Sequence, residues 1–148
     1  MSLELEIQNG IKVAMLAKEK VKLEALRGIK AAILLAKTAD GSESISDDAV
    51  LKIIQKLVKQ RKESAELYSS QNRPELAENE LAEAACMEVF LPKQLSEEEL
   101  AAELKKIIES VGAKGPQDMG KVMGTATKQL SGRAEGKAIS AMVKQLLA

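Results

Sequence analysis

The ten residues LPKQLSEEEL, 91–100, constrain the fold more than any other stretch of the chain. Pro92 disfavours helical geometry at Leu91, so a helix arriving from upstream has to stop there. Four residues later Ser96, followed by Glu99, has the spacing of a capping box. The serine hydroxyl satisfies a free N–H of the first turn, and the glutamate reaches back to the cap. One helix ends and the next begins within ten residues. The chain is therefore expected to form two helical subdomains, an amino-terminal one over 1–91 and a smaller one over 92–148, hinged at LPKQL.

Helical spacing of apolar residues fills both halves, and no strand pattern or internal repeat competes with it. A first helix is predicted over 2–18, on Leu3, Ile7, Ile11 and Ala14/Met15. A second is predicted over about 20–37, on Leu26, Ile29, Ile33 and Leu34, before the turn residues ADGSES. A third, over 47–71 with Ser46 as N-cap, carries Val50, Ile54, Leu57, Ala65 and Tyr68. A fourth starts at Pro74 and runs to about Phe90. Beyond Ser96, Leu100, Leu104, Ile107, Ile108 and Val111 make a clean stripe that stops at Gly112. Two short helices follow, near 116–130 and 135–147. The predicted class is all-α, a larger amino-terminal subdomain followed by a small three-helix bundle.

Composition narrows the chemistry. The chain of 148 residues has one tyrosine, one phenylalanine and no tryptophan, so aromatic platforms for stacking bases are nearly absent. Histidine is missing altogether, which removes the commonest general base at neutral pH and the commonest metal ligand. With Cys86 as its single cysteine, the chain can form neither an internal disulfide nor a zinc site of the usual Cys/His kind. Ser131 and Ser140 lie among lysines, but no nucleophile turn surrounds them. The Gly-Lys of GKVMG lacks both the spacing of a phosphate-cradling loop and a preceding strand. The reading at this point is no catalytic residue, no metal and no cofactor. No apolar run suits a bilayer span, and the start MSLELEIQNG lacks the order of a secretory signal. A cytoplasmic protein without a membrane partner is expected.

Charge is segregated although its sum is zero. Lys52, Lys56, Lys59 and Lys62 form one stripe on the third helix, and Lys20, Arg27, Lys30 and Lys37 one on the second. In the tail Lys121 and Lys128 stand a heptad apart, as do Lys137 and Lys144. Such stripes can follow a phosphate backbone; they can equally be solvated faces opposite apolar ones.

Three segments taken in order, LPKQLSEEEL, DMGKVMG and SGRAEGKAISAMVKQLL, strongly resemble the GatB/YqeY family. LEALRGIKAAI and VLKIIQKLVKQRKESAELY look like the amino-terminal half of that family, in its free-standing YqeY-like form. The resemblance implies an all-helical fold of two subdomains. It also implies kinship with the tail domain of the B subunit of the tRNA-dependent amidotransferase, and with a module appended to some glutaminyl-tRNA synthetases. In those settings the domain helps to hold tRNA, and carbon–nitrogen ligation with glutamine as amido-N-donor belongs to other domains.

The expected function is thus a non-catalytic module, acting in translation, that binds tRNA or a tRNA-handling enzyme (an amidotransferase or aminoacyl-tRNA synthetase). The expected contact residues are Lys121, Lys128, Gly132, Arg133, Gly136 and Lys137, with Lys52, Lys56, Lys59 and Lys62 as a secondary face. Gly120 and Gly124, four apart on one helix face, would let a backbone or a neighbouring helix come close. The helix start after Gly136 would cup a phosphate, unless these glycines serve packing and a sharp turn alone. The alternatives are a protein-binding module without RNA, and an accessory to a glutamine-dependent amidotransferase.

Overall fold

The computed structural model describes residues 2–148, with seven α-helices and no strand among them. Contacts divide the chain into two compact units, residues 1–91 and 92–148. The first holds α1 (Leu3–Leu16), α2 (Lys20–Asp40), α3 (Asp47–Ser70) and α4 (Pro74–Glu88). The second holds α5 (Glu97–Val111), α6 (Met119–Gln129), entered through a short 3₁₀ turn at Pro116–Asp118, and α7 (Gly136–Leu147).

In the first unit Ile7, Ile11 and Ala14 of α1 meet Leu26, Ile29 and Ile33 of α2, Val50, Ile54 and Val58 of α3, and Ala84 and Met87 of α4. The helical stripes read from sequence are present, with three shifts. Ala14 is buried and Met15 is 51% exposed, because only Ala14 keeps the seven-residue step from Ile7. Val58, one turn beyond Ile54, takes the place expected of Leu57, which is half-buried. Leu34, assigned to the apolar face of the second helix, is 63% exposed.

Helix ends follow local chemistry. The Ser46 hydroxyl accepts from the Ala49 N–H at 3.2 Å, and Asp47 Oδ1 accepts from the Leu3 N–H at 2.9 Å, so the start of α3 also caps α1. The second helix runs to Asp40, three residues beyond its expected end. It stops only where Gly41, at φ 65°, can turn left-handed and let the Ser42 N–H reach the Lys37 carbonyl. The capping box at α5 forms: the Glu99 N–H donates to the Ser96 hydroxyl and the Ser96 N–H to the Glu99 carboxylate. The hydrogen bond from the Ser96 backbone, then that from its side chain, hold the Glu99 carboxyl below the usual range.

Between α3 and α4 one guanidinium nitrogen of Arg61 lies 3.4 Å from a carboxylate oxygen of Glu80 and 3.4 Å from one of Glu83. The guanidinium also lies against α2, where a Cβ on Gly28 would stand at an ordinary contact distance of 3.5 Å from it. Glu83 is 7% exposed and its carboxyl is pushed up, first by burial and then by Glu80 and Glu24, with Arg61 opposing. Arg61→Met, which leaves that acidic group uncompensated, is expected to cost roughly 3 kcal/mol. Glu83→Gln keeps shape and removes the buried charge. A raised native value means that the protonated carboxyl favours folding. This contribution is full below the unfolded value of 4.5 and is lost as pH rises through the native one. Relative to Glu83→Gln, the unsubstituted chain should therefore gain stability as pH falls toward 4.5. Denaturant titrations of both proteins across the acid range check this; parallel curves would rule it out.

The second unit closes on Leu100, Leu104, Ile107, Val122, Ala126, Leu130, Ile139, Val143 and Leu147, one buried stripe from each helix. Its first residues are not helical but are bound into the unit. The Gln94 amide donates to the Gly132 carbonyl at 2.6 Å and to the Pro92 carbonyl at 3.1 Å, and the Leu95 N–H donates to the Arg133 carbonyl at 2.9 Å.

Candidate functional site

The α6 helix turns Val122 and Ala126 into the core. At 100° per residue the opposite face then carries Gly120, Lys121, Gly124 and Lys128, all exposed. A Cβ placed on Gly120 or Gly124 meets nothing within 4 Å, so no helix of the folded chain needs these glycines in order to pack. A smooth strip of open backbone, with a lysine near either end, faces solvent. On α7, Ile139 and Val143 are buried, and Lys137 and Lys144 share the exposed side.

The loop from Ser131 to Glu135 joins the two helices. Gly132 is buried at φ 76°, a left-handed conformation that a side chain would strain. Its carbonyl and that of Arg133 are taken by Gln94 and Leu95. Arg133 is half-buried, and its charge helps to lower the Glu99 carboxyl. Gly136 opens α7 with no contact on its Cβ side. The N-cap side chain makes no capping hydrogen bond at this helix start. The residue in the N-cap position is Glu135, an acidic residue at the edge of the expected phosphate cup that has an interaction of its own. Gly120, Lys121, Gly124 and Lys128 thus share one face. Arg133 has an acidic neighbour, and the cup has an acidic rim.

The Lys52, Lys56, Lys59 and Lys62 stripe belongs to the first unit. Lys52 and Lys56 are exposed, whereas Lys62 donates to Glu88 at 2.6 Å and Lys59 has an interaction of its own. On α2, Lys37 is bound to Glu4 at 2.8 Å. Part of each basic block is therefore paired inside the chain.

Sequence reasoning missed two groups. Arg61 has no place in the lysine stripe of the third helix, yet it lies seven residues after Ile54 on the apolar face of α3, a position that signals inward placement. It forms the floor of an open groove of about 560 Å³ together with Leu57, Gln60, Ser64, Leu67 and Glu80, where no nucleophile meets a base. Gln94, which pins a loop 38 residues away, carries no local signal.

The profile of the family described as Yqey-like protein matches residues 4–147. Among curated proteins the chain is similar to two named "Altered inheritance of mitochondria protein 41, mitochondrial". It is 39% identical over 85 residues to that of Meyerozyma guilliermondii, which is 57% of this chain and 44% of that protein. It is 30% identical over 131 residues to that of Pyrenophora tritici-repentis, 86% of this chain and 71% of that protein. The chain thus spans under half of the first relative and about seven tenths of the second. Both relatives are named as mitochondrial, which overturns the cytoplasmic expectation. That expectation rested on the character of the first ten residues, and these say nothing of where the relatives reside.

The open glycine face gives a direct test. Gly124→Ala fills empty space in mid-helix, so it should stabilise the chain by about 1 kcal/mol. Thermal unfolding would reveal a hidden packing role as a fall in Tm.

Proposed function

The chain belongs to the Yqey-like protein family, and on that premise we propose that it is a non-catalytic RNA-binding module whose contact surface is the outward face of α6 and the start of α7. One observation carries the reading. Gly120 and Gly124 leave helical backbone bare on a face where no atom of the described chain comes within 4 Å of their Cβ positions, beside Lys121 and Lys128. Helix-interior glycine costs stability relative to alanine, and close approach of an outside phosphate backbone gives that cost a use. Lys137 and the first-turn N–H groups of α7 add donors. Two aromatic residues in the whole chain favour contact with phosphate and shape over stacked bases. The RNA we assign is tRNA, following the resemblance to the amidotransferase tail, and the setting carried over from the relatives' names is mitochondrial. Partnership with a tRNA-handling enzyme, including service to a glutamine-dependent amidotransferase, extends the same reading.

A protein partner without RNA is the second reading. It is favoured by the acidic side chain of Glu135 in the N-cap position of α7, which opposes a phosphate at that helix start.

Anisotropy of labelled, unfractionated tRNA across a salt series separates the two. Affinity should fall with salt, with a logarithmic slope of about 0.7–0.9 per phosphate neutralised. The triple change Lys121→Glu, Lys128→Glu and Lys137→Glu should weaken binding at least about tenfold and flatten that slope by roughly two to three. Unaltered affinity, or none at low salt in the unsubstituted chain, would dismiss the RNA reading.

A further inference from the structure

The α1 helix buries Ile7, Ile11 and Ala14, and this is all the fold takes from it. Its outward side is also apolar towards the carboxy-terminal end. Val13 is 59% exposed and Leu16, nearly one turn further on, is 85% exposed, while Met15, 51% exposed, lies on another flank of the helix. The turn that follows has Lys18 in a left-handed conformation at φ 58°, and Val21 in the first turn of α2 is again exposed. Next to these apolar side chains in sequence are the exposed Lys12, Lys18 and Lys20. The acid within the turn, Glu19, is tied to Lys22 at 3.7 Å, and Glu24 lies close enough to Glu83 to raise its carboxyl. A soluble helix needs one apolar face; a second face, with lysines beside it in sequence, is surplus to folding.

We infer that the α1–α2 hairpin tip, residues 12–22, is a docking surface for an anionic lipid bilayer, with Val13, Leu16 and Val21 entering the headgroup layer and Lys12, Lys18 and Lys20 holding its phosphates. No helix among the described residues is long and apolar enough to cross a membrane, and lying on one makes a different demand. It needs exposed apolar residues at a convex place with cations at their edge, the arrangement of interfacial segments. Rival partners fit less well. RNA would press phosphates against Leu16 and Val13, and the first aromatic residue in the chain is Tyr68, too far along α3 to stack a base here. A symmetric contact with a second copy would bring Lys12, Lys18 and Lys20 face to face with their own counterparts.

Co-sedimentation of the full chain with vesicles tests this. One set is phosphatidylcholine alone; the other contains about a quarter phosphatidylserine. Binding is expected to the anionic vesicles only, weakening as salt is added. Two double variants probe the two halves of the surface: Val13→Ser with Leu16→Ser, and Lys18→Glu with Lys20→Glu. All four side chains are exposed, so folding should persist, which helical circular dichroism verifies. Each variant should lose about tenfold or more in vesicle affinity. The inference is overturned by absence of vesicle binding at low salt, by equal binding to neutral vesicles, or by variants that bind as before. It is equally overturned if the tip proves to be a self-contact, seen as a dimer that the Val13/Leu16 variant dissolves, or an RNA contact, seen as tRNA binding lost in the Lys18/Lys20 variant without any vesicle binding.

Discussion

A core with almost no aromatic bulk has to be filled by bringing helices close together, and most of the architecture of this chain answers that demand. Ala14, Ala25, Ala65, Ala77, Ala84 and Ala126 are buried where larger chains would hold helices apart. Gly10 belongs to the same economy, since a Cβ there would stand 3.1 Å from the Leu26 side chain across the α1–α2 contact. Close helices leave little space for anything polar, which makes the inward turn of Arg61 notable. Its guanidinium lies over Gly28 and meets Glu80 and Glu83, so three helices converge on one cation. Such a group adds little net stability compared with an apolar filling, but it admits few alternative registers between the helices that share it.

Much of the helical framework was legible because helix-forming chemistry is local. Capping at Ser46 and Ser96, the stop at Gly112 and the heptad and four-residue steps of the apolar stripes are all readable within one turn of sequence. The errors arose where local signals gave out. At the end of α2 the composition of ADGSES suggested a turn, yet helix continues until a residue can adopt positive φ, at Gly41. Leu34 was counted in the periodic pattern but faces outward, because it stands about 100° round the helix from Ile33, off the stripe of Leu26, Ile29 and Ile33. Arg61 could have been found from its phase relative to Ile54, whereas the bonds from Gln94 and Leu95 join residues far apart and leave no mark on either segment.

The candidate site was legible in a different way. The sequence places Gly120, Gly124, Lys121 and Lys128 on one face of a helix, and this needs only a period and a direction. What could not be read was the emptiness above the glycines, since an outward glycine and a tightly packed one look alike in a string of letters. Nor could the acidic rim at Glu135 be foreseen before the start of α7 was fixed. The resemblance to a tRNA-holding domain supplied the chemical interest; the structure supplies the distinction between glycine as spacer and glycine as surface.

The segment Pro92–Leu95 has the composition of a connector, but its amide groups fasten the turn between α6 and α7. The second unit therefore starts before its first helix. A gene fusion or natural rearrangement that transplants this unit has to cut upstream of Pro92. A junction placed at Ser96, where the helix begins, would carry off three helices and leave behind the clasp that shapes the loop between two of them.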